Sequence, residues 1–310
     1  MLGEIAAPPL QQTLKSVIGC RGIGLHSGQR VSMKLIPAPP ATGIVFRRTD
    51  NGAEIRASWE NAVDSAGCTM LSDSAGRMVG TIEHLMAALA GAAVDNLIVE
   101  LDGPEVPIMD GSAAPFLFLI ECAGIIEQDM PRKAIEVLRP VSIVEGETMV
   151  GLYPDPEFSM SFEIDYDSPL IRQQTKTLAI DTEAFKLELS RARTFGFLSD
   201  VERLRAVGLA RGGSLDNAIV VDGDHVLNSE GLRYDDEFVR HKLLDAVGDL
   251  YLAGAPIIGR FRGVCSGHSH NRRLLAALFA DDDAWSYTSS VSVPYAATPA
   301  DQHEPLLVDA

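Results

Sequence analysis

The chain has 310 residues, 46% of them hydrophobic and 22% charged, with 26 Lys and Arg against 43 Asp and Glu, a formal charge of −17. This composition excludes a disordered chain, a collagen-like repeat and a disulfide scaffold, and the acidity argues against a nucleic-acid binder, whose affinity needs clustered Lys and Arg. At this length a single hydrophobic core seldom keeps growing, so two domains are expected.

The N-terminal stretch carries Glu4, Pro8 and Pro9 where an export signal would have basic residues and an apolar core, which predicts a cytoplasmic protein. Val31–Leu35 and Leu97–Leu101 read as strands, and Thr81–Ala92 and Ala114–Ala123 as helices. The apolar run from Ala113 to Ile126, broken by Glu121, is shorter than the ~20 apolar residues a bilayer span needs and is predicted to be a buried helix. Glu127–Lys133, with Pro131 among charged residues, is the expected linker between halves. Beyond it, Ala134–Val144 and Phe158–Tyr166 read as β-rich, followed by helical Glu183–Leu189, Glu237–Leu252 and Arg272–Phe279. The tail Ala296–Ala310 lacks periodicity and is expected to fray. Cys20, Cys68, Cys122 and Cys265 form no CxxC pair and are expected to be reduced, small buried hydrophobes.

Three segments can carry chemistry. In His241-Lys-Leu-Leu-Asp245-Ala-Val-Gly-Asp249, spacings of four put His241, Asp245 and Asp249 on one helical stripe, and an imidazole and a carboxylate one turn apart can ligate one metal. Alone, such a pattern more often marks a solvated face. In Thr81-Ile-Glu83-His84-Leu-Met-Ala-Ala-Leu89, an adjacent Glu-His pair opens a helix that otherwise looks fully buried. Burying two ionisable groups costs several kcal/mol unless they are paired or bound to metal. In Gly263-Val-Cys265-Ser-Gly-His268-Ser-His-Asn271, a small polar loop precedes the helix expected from Arg272, which Ser269 or Asn271 could cap. Together the segments supply three ligands (His84, His241, Asp245), a carboxylate beside a ligand (Glu83) and a spare imidazole (His268), the inventory of metal-assisted hydrolysis. Gly22-Ile-Gly24-Leu-His26-Ser-Gly28 lacks the following helix and distal acid of a dinucleotide loop, and its glycines read as turn formers.

With these segments, Pro104–Ser112, Ala192–Phe197 and Ser266-Gly267-His268 occur in order along the chain. Across nearly its whole length the sequence resembles the UDP-3-O-acyl-N-acetylglucosamine deacetylases, zinc amidases that commit Gram-negative bacteria to lipid A. The resemblance implies an α+β fold of two similar domains, each a helix layer on a β-sheet, with one insert per domain and the active site in the cleft between them. The expected limits are 1–130, 131–296 and a tail 297–310. It also implies that His84, His241 and Asp245 hold Zn2+, or Fe2+ in the same site, that Glu83 is the general base and His268 the general acid. Asp249 would orient or charge His268, and Thr194 would help stabilise the oxyanion.

For the substrate, a UDP-linked acylated amino sugar, the resemblance places Tyr166 against uracil and Lys242 on phosphate or sugar. An acyl channel would be formed from the second insert, where Phe195, Phe197, Leu198, Val201, Leu204, Leu209 and Leu215 lead to the turn Arg211-Gly212-Gly213-Ser214; Gly213 and Ser214 are substrate contacts in this reading. Ordinary core packing explains that apolar pattern equally well. The sequence departs from the family at Cys265, where a Lys is common, and Arg262 becomes the candidate diphosphate partner in its place. The remaining expectations are no nucleic acid, at most transient contact with a membrane surface, and a monomer. Two rivals stay open: a mononuclear iron oxygenase, whose facial triad is also two His and one carboxylate, and a non-catalytic binding protein of the same fold.

Overall fold

Alternation of apolar and polar residues builds two large sheets. Arg30–Pro37 buries Val31, Met33 and Leu35 on one face, and Leu97–Leu101 buries its odd-numbered residues in the same way. The computed structural model describes residues 8–289, a mixed α+β chain. A five-stranded sheet runs in the order Ile18–Ile23, Arg30–Pro37, Leu97–Leu101, Ile44–Arg48, Glu54–Arg56, with Ile44–Arg48 parallel to Leu97–Leu101 and the other neighbours antiparallel. A seven-stranded sheet centres on Ile257–Val264, which has Thr148–Tyr153 antiparallel on one side and both Ala134–Val137 and Phe158–Asp165 parallel on the other. Val141–Glu145, Gln173–Ala179 and Trp285–Thr288 complete it.

The helices are α1 (Glu83–Gly91), α2 (Ala114–Ala123), the short α3 (Thr182–Ala184) running into a π-type turn Phe185–Leu189, α4 (Leu198–Ala206), α5 (Glu237–Leu250) and α6 (His268–Ala280). Helix α5 lies on Phe158–Asp165 and Gln173–Ala179, and α1 crosses α5. Gly248 makes that crossing close: a Cβ there would stand 2.1 Å from the Glu83 carbonyl oxygen, so only glycine lets the two backbones touch. The crossing sets the N-terminal turn of α1 against the middle of α5, where the ionisable residues of both helices lie.

Two small sheets flank this arrangement. Ala62–Val63, Met70–Ser72 and Met78–Val79 form one, and Phe195–Phe197, Ile219–Asp222 and His225–Val226 form the other, with α4 in the crossover between the parallel pair. The turn after α4 docks on the glycine-rich turn of the first half: the Gly212 amide donates to Leu25 O at 3.0 Å, and a Cβ on Gly212 would fall 2.2 Å from Gly24 O. The side chains of α4 are at most half-buried, so Val201 and Leu204 do not belong to the core.

Several expectations need correction. The segment expected as a linker is mostly a strand, Ile125–Pro131, paired antiparallel with Leu10–Leu14; most of its side chains are exposed, which gave it a loop-like polarity. Arg132 just beyond is buried and donates to Asp95 at 2.8 Å. The run after Ala113 is amphipathic, not wholly buried, since Phe118 is 65% exposed. Helix α6 begins at His268, with extended Gly267 at its N-cap, so neither Ser269 nor Asn271 caps it. Of the four cysteines, all free, Cys122 and Cys265 are exposed. The expected fraying of Ala296–Ala310 lies outside the described residues.

Candidate active site

Helix α1 buries every residue but Ala90, so Glu83 and His84 are carried into the interior at its first turn. Helix α5 brings His241 and Asp245 to them, and ligand atoms of His84, His241 and Asp245 lie within 4.8 Å of one another. Asp245 Oδ1 is 3.2 Å from His241 Nε2 and 3.6 Å from His84 Nε2. The two rings meet nearly edge-on, centroids 4.9 Å apart.

The chemistry of this donor set fits a cation. His241 Nδ1 stands 3.1 Å from the Ala192 carbonyl, which can only accept; Nδ1 therefore carries the proton and Nε2 presents a lone pair. Burial, outweighing Asp245, pulls the His241 pKa from 6.5 to about 3, so the ring is neutral. Asp245 Oδ1 is buried and accepts no hydrogen bond among the described residues, while Oδ2 accepts from Lys242 Nζ at 3.0 Å. A lone pair, a carboxylate oxygen and a second imidazole converging in a buried pocket are the N/O ligands that Zn2+ or Fe2+ takes. Burial works against the Lys242 charge, yet Asp245 more than compensates and raises its pKa.

Glu83 is buried, which pushes its carboxyl pKa up, and its Oε2 accepts the Thr69 amide at 3.0 Å. His268 opens α6 with Nδ1 2.8 Å from Asp249 Oδ2. Burial disfavours the charged ring, but Asp249 prevails and lifts its pKa from 6.5 to about 9. Asp249 also accepts from Asn271 Nδ2 at 2.8 Å and from the Thr69 hydroxyl at 2.5 Å. Sequence reasoning gives Thr69 no role and reads Asn271 only as a helix cap. Asn271 left one trace, its i,i+3 spacing from His268 on a helix.

The aromatic candidates gather beside this cluster. Tyr166 meets Phe195 edge-on at 5.8 Å and Phe197 at 5.7 Å, and Phe195 lies 6.3 Å from the His241 ring. Thr194 is half-buried, two residues beyond the carbonyl that orients His241; its amide donates to Gly111 O and its carbonyl accepts from Ile219. Its neighbour Arg193, 2% exposed, donates from Nε at 2.9 Å to Glu237, which is fully buried at the start of α5. Gly213 and exposed Ser214 belong to the turn docked on Leu25, where Ser214 donates its amide to Asn217.

Arg262 is not brought to this cluster. In Ile257–Val264, Phe261 and Gly263 are buried while Arg260 and Arg262 are exposed on the opposite face, and Arg262 pairs in register with half-buried Ser161. Helix α5 covers the face of Phe158–Asp165 that carries Met160, Phe162 and Ile164, so Arg262 points away from α5. Cys265, exposed and in the left-handed region at φ 48°, turns the chain from that strand toward α6.

A family model described as UDP-3-O-acyl N-acetylglycosamine deacetylase matches residues 11–280. Proteins named UDP-3-O-acyl-N-acetylglucosamine deacetylase are 53% identical over 281 residues in Acidithiobacillus ferrooxidans, covering 89% of this chain and 92% of that protein, and 53% over 282 residues in Marinobacter nauticus, covering 89% and 91%. The protein of that name from Chromohalobacter salexigens is 50% identical over 297 residues, covering 93% of this chain and 98% of its own. The chain belongs to this deacetylase family.

Proposed function

We propose that this member of the deacetylase family hydrolyses the acetamide of UDP-3-O-(3-hydroxyacyl)-N-acetylglucosamine to the free amine and acetate, the committed step of lipid A biosynthesis. The observation that carries the reading is the convergence of His84, His241 and Asp245 within 4.8 Å, flanked by buried Glu83 and by the His268–Asp249 pair.

His84, His241 and Asp245 would hold Zn2+, or Fe2+ in the same site. When bound, the ion supplies Lewis-acid polarisation of the amide carbonyl and makes water acidic near neutral pH. Glu83, already ordered by the Thr69 amide, accepts a proton from the attacking water. The Thr194 hydroxyl donates to the oxygen on which negative charge develops. His268, kept protonated by Asp249, delivers its proton to the departing sugar nitrogen. Expulsion of a free amine needs that proton, because an amide anion is a far poorer leaving group.

Tyr166 is read as the uracil contact, with Phe195, Phe197, Gly213 and Ser214 on the substrate and Lys242 on phosphate or sugar. With Arg262 on the far face, Lys242 is the remaining cation of the predicted set for the diphosphate. The two small three-stranded sheets are read as the inserts of two domains, 1–130 and 131–296. No helix of the described residues is long and apolar enough to cross a membrane, and a cytoplasmic enzyme that meets its lipid-bearing substrate by transient surface contact fits that.

Acetate release from the UDP substrate, abolished by chelation and restored by metal, tests the reading. The absence of O₂ consumption, and full activity under anaerobic conditions, separates it from an iron oxygenase.

A further inference from the structure

One residue outside every motif ties the acid side of the site to the base side. Thr69 is buried and immediately precedes the strand Met70–Ser72. Its amide donates to Glu83 Oε2 at 3.0 Å, and its carbonyl accepts the amide of Ile82, the residue ahead of α1. Its hydroxyl donates to Asp249 Oδ1 at 2.5 Å on α5 and lies 3.1 Å from His268 Nδ1 on α6. Three polar groups of one residue thus reach three helices.

The division of labour on the Asp249 carboxylate makes the hydroxyl informative. Oδ2 accepts from His268 Nδ1 and from Asn271 Nδ2, each at 2.8 Å. Oδ1 accepts the Thr69 hydroxyl. A buried carboxylate oxygen without a donor is costly, and the group rotates about its Cβ–Cγ bond to recover one. Rotation carries Oδ2 out of line with the His268 ring, so losing the Thr69 hydroxyl is felt at the imidazole.

We propose that Thr69 is a positioning residue for the deacetylation: its hydroxyl fixes the Asp249 carboxylate that orients His268, while its amide fixes the Glu83 carboxylate, so acid and base are held at a set separation. The proposal rests on the reading of Glu83 and His268 as base and acid. Thr69 makes no proton transfer itself.

Thr69→Val preserves shape and the amide but removes the hydroxyl; Thr69→Ser preserves both hydrogen bonds. Acetate release by Thr69→Val is expected to show kcat lowered about 10–100-fold, the loss of a hydrogen bond to a charged group, with KM within about threefold of wild type. Thr69→Ser is expected to recover kcat to within about threefold, and both variants to bind metal stoichiometrically as wild type does. In an Asp249→Asn background, Thr69→Val should cost less than about threefold more, because the carboxylate it acts through is gone. A kcat unchanged in Thr69→Val, a Ser variant no better than Val, or full multiplication of the two losses overturns the proposal. If Thr69→Val does not fold, Thr69→Ala against Thr69→Ser makes the same comparison. A wild-type protein that releases no acetate sinks the deacetylase reading instead, and so is distinguishable from failure of the Thr69 assignment.

Discussion

The His268 imidazole shares its Nδ1 proton with the buried Asp249 carboxylate across 2.8 Å, and that contact lifts its pKa to about 9 against the pull of burial. A general acid must be protonated, so kcat/KM should hold through neutral pH and fall as pH rises through about 9. In Asp249→Asn burial still disfavours the charged ring and the main lifting charge is gone, leaving only the more distant Asp245 and Glu83 to favour it, so the alkaline limb should move to lower pH. A pH–rate profile that keeps its alkaline limb in that variant would falsify the assignment. The linkage has a definite sign: the folded pKa exceeds the unfolded one, so the pair's contribution is full below 6.5 and is lost as pH rises through about 9. The melting-temperature difference between wild type and His268→Gln should shrink across that interval.

Glu83→Gln keeps the shape of the side chain and its contact with the Thr69 amide while abolishing the basic oxygen. Metal content should stay at wild-type stoichiometry, and kcat should drop by a factor on the order of 10²–10⁴. Turnover at the wild-type rate would remove Glu83 from its role as base.

Removal of metal by a strong chelator should abolish acetate release, with recovery on adding Zn2+. Binding to the folded chain alone also stabilises it, by about 4 kcal/mol at a free metal concentration roughly 1,000 times Kd. His84→Ala should lose both the activity and the metal-dependent rise in melting temperature. A melting temperature indifferent to Zn2+ in the wild type would contradict the ligand set.

The Arg193–Glu237 pair offers a test of stability away from the chemistry. Both side chains are buried, and Glu237 also accepts the amides of Arg193 and Arg233. Arg193→Met leaves that carboxylate without its cation and should cost about 3–5 kcal/mol in urea unfolding. Because Arg193 precedes Thr194 and Glu237 opens α5, activity should fall in parallel.

Gly248→Ala places a methyl where the Glu83 carbonyl now sits, at 2.1 Å. The helices must separate, so destabilisation of about 1–3 kcal/mol should come with weaker metal binding, read by competition with a chelating dye. Retained metal affinity would show that the crossing tolerates a wider gap.

The His84–His241–Asp245 cluster was legible because α5 repeats His241, Asp245 and Asp249 at the helical period, and because a Glu-His pair in a greasy helix demands a partner. Thr69 left no such trace: its amide is common to every residue, and its hydroxyl meets a residue distant in the chain. Strand parity is the signal that places Arg262, since buried Phe261 and Gly263 alternate with it. Ile125–Pro131 looked like a linker because a two-stranded ribbon buries little on either face. The start of α6 was missed because its cap is a glycine in extended conformation, not a hydroxyl or amide side chain. Gly248 has low helix propensity, and only the crossing reveals its use.

The crossing of α1 and α5 also bears on how long the protein lasts. An ion shared by His84 and the His241–Asp245 pair would act as a reversible cross-link between stretches far apart in the chain. With the ion bound the two helices could not part until it was released, so the lifetime of the folded chain would depend on metal supply as well as on its apolar core. A cell short of the metal would feel the shortage twice, as idle active sites and as protein opened sooner to proteolysis.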